Sequence, residues 1–163
     1  LGQVIASYYP LKTKKLVLSC THQGFAMSFR KPLREPYFKR LDERKKMSDD
    51  EFGKLRAQNM VPHLKNKSIL KILSSISSEI SINSILCGGE AMQILDTTEL
   101  LEKIICPSLI ISASKDIVCN EGNAIFLNQK IKNSIRFNIE DAGHAPYCEK
   151  PELFNDTVHQ FLK

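Results

Sequence analysis

The segment "CPSLIISAS" (Cys106–Ser114) limits the choice of fold more than any other. Its central run, Ser108 to Ala113, is far shorter than the ~20 apolar residues a membrane crossing needs. It is apolar at nearly every position rather than at alternate ones. A strand of that kind is covered on both faces, as strands of parallel sheets are. "KLVLS" (Lys15–Ser19) has the same character, and "IRFNI" (Ile135–Ile139) is a third candidate. All three are predicted as buried strands. Helical patterns alternate with them. "QVIASYY" (Gln3–Tyr9) precedes the first strand and stops at Pro10, and "EGNAIFLNQKI" (Glu121–Ile131) lies between the second and third. "PELFNDTVHQFL" (Pro151–Leu162) follows, with Phe154, Val158, Phe161 and Leu162 on one face and Pro151 suited to its first turn. Strands alternating with helices predict an α/β fold with a parallel sheet.

Between the first two strands the pattern changes. About 85 residues, from Thr21 to Ile105, contain no convincing strand, whereas a βαβ crossover usually needs about a dozen or more. "SDDE" (Ser48–Glu51) has the capping-box spacing, and its helix should end near Pro62. Ile69, Leu73, Ile76 and Ile80 recur at helical spacing and predict one apolar face. "DTTE" (Asp96–Glu99) reads as another helix start, and "CGGE" (Cys87–Glu90) as a break between two helices. The expected organisation is a core segment at 1–22, an all-helical cap at 23–97, and a second core segment at 98–163. The simplest role for the insertion is a lid over one end of the sheet.

Composition excludes several function classes. With 42% hydrophobic and 25% charged residues the chain is globular rather than disordered. No apolar run is long enough for a membrane helix, and no basic region precedes a long apolar one, so a cytoplasmic location is expected. The five cysteines, Cys20, Cys87, Cys106, Cys119 and Cys148, include no C-x-x-C pair. Reduced thiols are expected, and no His/Cys/Asp group has metal-ligand spacing. The net charge is +5, and Arg30 to Lys71 carries 13 Lys or Arg against 6 Asp or Glu. Such a run could bind nucleic acid, but aromatic residues are not interleaved with it. Solvated helix faces are the preferred reading, with neither nucleic acid nor membrane as partner. A salt titration of binding tests the rejected reading.

The chemistry-bearing candidates lie at strand ends. His144, in "EDAGHAPYCEKPELF", follows the third strand in a Gly-containing loop. Asp116, in "SASKDIVC", follows the second strand at the same end of the sheet, the end at which α/β sheets bind ligands. A carboxylate there can fix the imidazole tautomer and stabilise the imidazolium. Each has a plainer reading, Asp116 as a turn residue and His144 as a surface residue. His22, in "CTHQG" after the first strand, is a possible pocket residue, with an ordinary loop histidine the preferred reading. Cys20 and Cys119 also fall at strand ends, where a thiol nucleophile is conceivable. "CGGE" is too short for a phosphate loop. The start "LGQVIASYYP" runs from Gly2 straight into a helix. A nucleophile elbow, G-x-S-x-G, has its second glycine two residues past the nucleophile. With Gly2 as that glycine, the nucleophile would immediately precede Leu1, and the chain order would be nucleophile, acid, base.

On these residues the chain resembles the C-terminal half of an α/β-hydrolase with a helical cap. The likeness runs from "LGQVIASYYP" and "KKLVLSC" through "LLEKIICPSLIISASKDIV" to "DAGHAPYCEKPELFNDTVHQFL". It is most similar to 3-oxoadipate enol-lactonases and to carbon–carbon bond hydrolases of ring-cleavage products. The resemblance implies a cofactor-free hydrolase of an ester, lactone or activated C–C bond in a small-molecule substrate. It implies Asp116 as the acid, His144 as the base and the Leu1 amide as one oxyanion-hole donor. The chain departs from the pattern in lacking the nucleophile, the second oxyanion amide and the first five strands. It therefore reads as a fragment, inactive alone, that needs an upstream segment of the same protein or a partner chain. The competing expectation is a non-catalytic ligand-binding or interaction protein of the same fold.

Overall fold

The computed structural model describes residues 1–25 and 34–163. Arg30 and Lys31, part of the basic run, lie outside the described residues. In chain order the elements are α1 (Gly2–Tyr8), β1 (Leu16–Ser19), α2 (Glu35–Lys46), α3 (Asp49–Met60), α4 (Lys67–Ser78), α5 (Ile82–Ile94) and α6 (Thr98–Leu101). There follow β2 (Ser108–Ala113), α7 (Glu121–Lys130), β3 (Ser134–Ile139), α8 (Pro146–Glu149) and α9 (Pro151–Leu162). The chain divides into two compact units, Leu1–Gln23 with Thr97–Lys163, and Gly24–Asp96.

The first unit is α/β. Its three strands are parallel in the order β1-β2-β3, with Leu16 opposite Ser108 and Ser108 opposite Ser134. Every residue of β2 is buried. The strand's two faces enter two clusters, which is why its sequence is apolar without alternation. On one face Ile110 joins Leu16, Leu18, Ala6, Leu101, Ala124, Leu127 and Ile131. On the other, Leu109, Ile111 and Ala113 join Ile139 and Ala142, covered by Phe154, Val158 and Phe161 of α9. Helices thus lie on both sides of the sheet, and each fully buried Leu or Ile contributes about 1.5–3 kcal/mol.

Two expectations about this unit need correction. β3 is not a buried strand: Ile135 is 59% exposed, because β3 is an edge and α9 reaches only its C-terminal part. Leu162 does not share the buried face of α9 and is 53% exposed. Its position at the helix end carries it past the sheet. Gly2 opens α1, and a methyl group there would sit 3.4 Å from Leu16 Cδ1, an ordinary contact. Space within this chain therefore does not demand glycine at that position.

The second unit is helical. The capping box forms as expected: Ser48 Oγ accepts from Glu51 N at 3.4 Å, and Glu51 Oε2 accepts from Ser48 N at 3.0 Å. The helix so started ends at Met60, just short of Pro62. Packing of α3 on α4 depends on small residues. A methyl at Gly53 would approach Ser74 O to 2.3 Å. For that reason the buried positions of α4 are Leu73, Ser74 and Ser77 rather than the expected isoleucines. Ile76 is 63% exposed, and Ile80 lies beyond the helix end. "CGGE" does not break the chain into two helices either. α5 runs through it, since Ile85, Gly89 and Gln93 bury a common face and offset the ~1 kcal/mol that each glycine costs a helix. No single described helix is long and apolar enough to cross a membrane. α4 and α5 together pass by length and composition, but they are bent by 91°.

Gly24 and Asp96, at the two ends of the helical unit, form an antiparallel bridge. Gly24 has φ 110°, and a Cβ on it would lie 2.0 Å from Leu95 O. No other residue fits there. In the α/β unit Thr97 donates from Oγ1 to Gln3 Oε1 at 2.5 Å, and Gln3 Nε2 donates to His22 O at 3.2 Å. This buried knot explains why the helix start expected at "DTTE" is capped differently. Thr97 is the N-cap of α6, yet its hydroxyl serves Gln3 instead of the helix.

Candidate active site

β2 and β3 end side by side, and the loops after them are bonded to each other. Ser114 N donates to Ile139 O at 3.1 Å and Lys115 N to Ala142 O at 2.8 Å. Asp141, in the left-handed region at φ 56°, donates from its amide to Ser114 Oγ at 2.9 Å. Its carboxylate pairs with Lys115 at 2.8 Å. These cross-links set the spacing of Asp116 and His144, which lie 28 residues apart in sequence.

The Asp116 carboxylate is used at both oxygens. Oδ1 accepts from Val118 N and Cys119 N, each at 2.8 Å. Oδ2 lies 2.9 Å from His144 Nδ1. The turn reading and the imidazole-partner reading of Asp116 are therefore both correct, one per oxygen. Its side chain is fully buried, while that of His144 is 26% exposed. Burial pushes the Asp116 carboxyl up, but the bonds from His144 and Cys119 N, the charge of His144 and the bond from Val118 N together outweigh it. The group is held below the usual carboxylate range. An ionised carboxylate only accepts, so in the neutral imidazole Nδ1 carries the proton and Nε2 keeps its lone pair. That is the tautomer a general base requires.

The sequence reading missed Glu149. Its Oε1 accepts from Gly143 N at 2.8 Å and from Ala145 N at 3.3 Å, the two amides flanking His144. Pro146 starts α8 and brings Glu149 back under the loop. The only signal in the sequence was an acidic residue five positions after the histidine.

The other candidates fall as follows. Leu1 is the N-cap of α1, is exposed, and its carbonyl accepts from Ile5 N at 3.0 Å. His22 is half-buried, with its carbonyl held by Gln3. Cys20 directly follows β1 with φ 46° and donates its amide to Ile111 O at 2.9 Å. Burial and then the charge of Asp116 push the thiols of Cys20 and Cys119 up to about 12. Neither is a thiolate at neutral pH, which argues against a thiol nucleophile. No sequence spacing suggested a metal-ligand group, yet three possible donors come together in space. Ligand atoms of Cys20, Asp116 and His144 all lie within 4.8 Å of one another. They come from three strand ends, so no sequence spacing shows them.

No protein-family model matches the chain. Proline iminopeptidase PfmaB of Pestalotiopsis fici is 26% identical over 98 residues, which are 60% of this chain and 34% of that protein. Among solved structures, the enol-lactonase from Burkholderia xenovorans superposes with a TM-score of 0.83 at 18% identity, over 99% of this chain and 60% of that one. An esterase from Exiguobacterium antarcticum gives 0.79 at 20% identity, over 98% and 62%. MenH from S. aureus gives 0.73 at 18% identity, over 98% and 64%. The chain spans about a third of the length of the curated relative and about three fifths of the solved structures. Over the length it does span, this chain has the fold of the C-terminal part of an α/β-hydrolase.

Proposed function

We propose that the intact protein is a hydrolase of esters, lactones or activated C–C bonds, working through a nucleophile–His144–Asp116 triad. Its nucleophile would be supplied immediately upstream of Leu1. The observation that carries this reading is the 2.9 Å contact between His144 Nδ1 and Asp116 Oδ2 at the C-terminal ends of parallel strands. With Nδ1 protonated, Nε2 accepts the nucleophile's proton and later passes it to the leaving group. Asp116 stabilises the imidazolium that forms between those steps, and it stays ionised because, against its burial, the bonds from His144, Cys119 N and Val118 N hold its carboxyl down. The Leu1 amide would be one oxyanion-hole donor. The names of the relatives, a lactonase, an esterase and an iminopeptidase, share acyl transfer to water and support that reaction class. Lactone or small-ester substrates are the first choice.

The test is a panel of p-nitrophenyl esters and small lactones with the full-length protein and its His144→Gln variant. Hydrolysis by the parent and its loss in the variant is the expected result. Equal turnover by both proteins would overturn the triad. No turnover by the folded parent on any member of the panel would favour a binding protein of the same fold.

A further inference from the structure

A cysteine in the left-handed backbone region lies beside the buried Asp116–His144 pair and has no part in the hydrolytic scheme. Cys20 follows β1, Asp116 follows β2 and His144 follows β3, so the segment after each strand of the sheet contributes one donor. Their ligand atoms lie within 4.8 Å of one another. From this we propose that Cys20, Asp116 and His144 form a three-ligand site for a thiophilic divalent cation, with Zn2+ the best match. The inference does not rest on the hydrolase reading.

The donor set selects the ion. Thiolate and imidazole suit zinc and its soft neighbours, whereas Mg2+ and Ca2+ require oxygen ligands. Bond lengths of about 2.3 Å to sulfur and about 2.0–2.2 Å to nitrogen and oxygen place tetrahedral ligands roughly 3.3–3.7 Å apart. Asp116 Oδ2 and His144 Nδ1, now 2.9 Å apart, need to separate by only about half an ångström to meet that geometry. Cys20 Sγ lies within 4.8 Å of the other two donors, so it needs to move inward by no more than about an ångström.

The carboxylate is already prepared for this use. Its Oδ1 is fixed by Val118 N and Cys119 N, which orients Oδ2 and supplies the outer hydrogen bonds that ligating carboxylates require. Glu149 holds the amides on either side of His144 and steadies the third donor. Partial exposure of the His144 ring opens a path for entry. Binding expels the Cys20 thiol proton and the Nδ1 proton to solvent, and the ion's charge offsets both losses. Three protein ligands leave the fourth tetrahedral position for water. The φ of 46° at Cys20 is uncommon for a residue other than glycine, and strained backbone of this kind concentrates at functional sites.

The ion would take the place of the proton between His144 and Asp116. If the pair is hydrolytic, the ion competes with that form of it and inhibits; this one consequence rests on the proposed function.

The test uses the full-length protein, stripped of metals and titrated with Co2+. A thiolate-to-cobalt charge-transfer band with the d–d pattern of tetrahedral Co2+ is expected, displaced by stoichiometric Zn2+. Cys20→Ser should abolish the band and weaken Zn2+ binding by about 10- to 100-fold or more. The exposed thiol of Cys87 provides the control, and Cys87→Ser should leave the band intact. A band that survives Cys20→Ser, that vanishes in Cys87→Ser, or that never appears in the parent overturns the site. Should Cys20→Ser fail to fold by circular dichroism, Asp116→Asn replaces it. That variant keeps an oxygen for the Val118 and Cys119 amides, and unchanged Zn2+ affinity in it likewise overturns the proposal.

Discussion

The α/β unit and the helical unit differ in how their parts are held together. In the α/β unit large apolar side chains are buried and bring distant parts of the chain together: Ala6, Leu18, Ile110 and Leu127 share one cluster. Its buried polar groups are also joined over long sequence spans, Gln3 with Thr97 and Asp116 with His144. In the helical unit Leu41, Phe52 and Ile85 form a smaller apolar cluster, and α3 meets α4 where Gly53 faces Ser74, while Ile72 and Ile76 face outward. Several of its ion pairs are local, such as Lys46 with Asp42 and Lys54 with Asp50, each one helical turn apart on the surface. Exposed pairs of that kind contribute little. In the α/β unit the long-range bonds join the loops after packed strands and so fix Asp116 against His144.

The largest expected effect tests whether the long-range polar bond matters for chemistry. In the intact protein Asp116→Asn should lower turnover by up to ~10⁴-fold, because the amide no longer accepts from Nδ1–H as a carboxylate does. The fold should survive, since an amide oxygen can still accept from Val118 N and Cys119 N. Steady-state kinetics and circular dichroism read the two halves of this prediction. A variant within a few-fold of the parent would reduce Asp116 to its turn role. The same variant carries a pH signature. The carboxyl of Asp116 is depressed in the fold, so its contribution to stability is present above the unfolded value of about 3.9 and is lost as pH falls through the folded one. Melting temperatures of parent and variant should therefore converge as the pH drops below about 4.

The next effect tests apolar burial. Leu127 is fully buried in α7 against the sheet, so Leu127→Ala should destabilise the α/β unit by about 2–5 kcal/mol. Urea denaturation measures it, and a cost below about 1 kcal/mol would mean that the site collapses freely. Gly53→Ala probes the contrasting small-residue contact. Its methyl would meet Ser74 O at 2.3 Å, which costs about 1–3 kcal/mol of overpacking against about 1 kcal/mol of regained helix propensity. Hydrogen exchange should place the loss in α3 and α4, and faster exchange in the β2 amides instead would break the distinction between the units. The smallest effect is local: Ser48→Ala removes the capping box of α3 for about 0.5–2 kcal/mol. It should leave turnover unchanged.

Legibility in the sequence follows the same division. The three strands, the helices around them and the capping box of α3 were readable because each is a local pattern with a period or a cap. Asp116 and His144 were readable because each stands directly after an apolar strand, at the end where parallel sheets gather function. Glu149 was not, since a carboxylate accepting from two loop amides looks like any surface glutamate. Nor was the approach of Cys20 to the pair, because Asp116 and His144 lie 96 and 124 residues further along the chain. The glycines of "CGGE" misled because propensity is a weak prior and burial of Ile85, Gly89 and Gln93 overrides it. The isoleucine stripe of α4 misled because hydrophobicity alone does not say where a glycine on the facing helix will admit only small residues.

By itself the sequence determined the parallel α/β class, the helical insertion and the identity of the carboxylate and imidazole. A continuous apolar run such as Ser108–Ala113 is satisfied by burial on both faces, and that requirement is written residue by residue. Tertiary structure alone decided the rest: the 2.9 Å His144–Asp116 contact, the edge position of β3, the Gly53 crossing and the meeting of Cys20 with the pair. Each depends on strand order and helix approach. Those are set by the sum of many contacts between residues far apart in the chain, which no local pattern records.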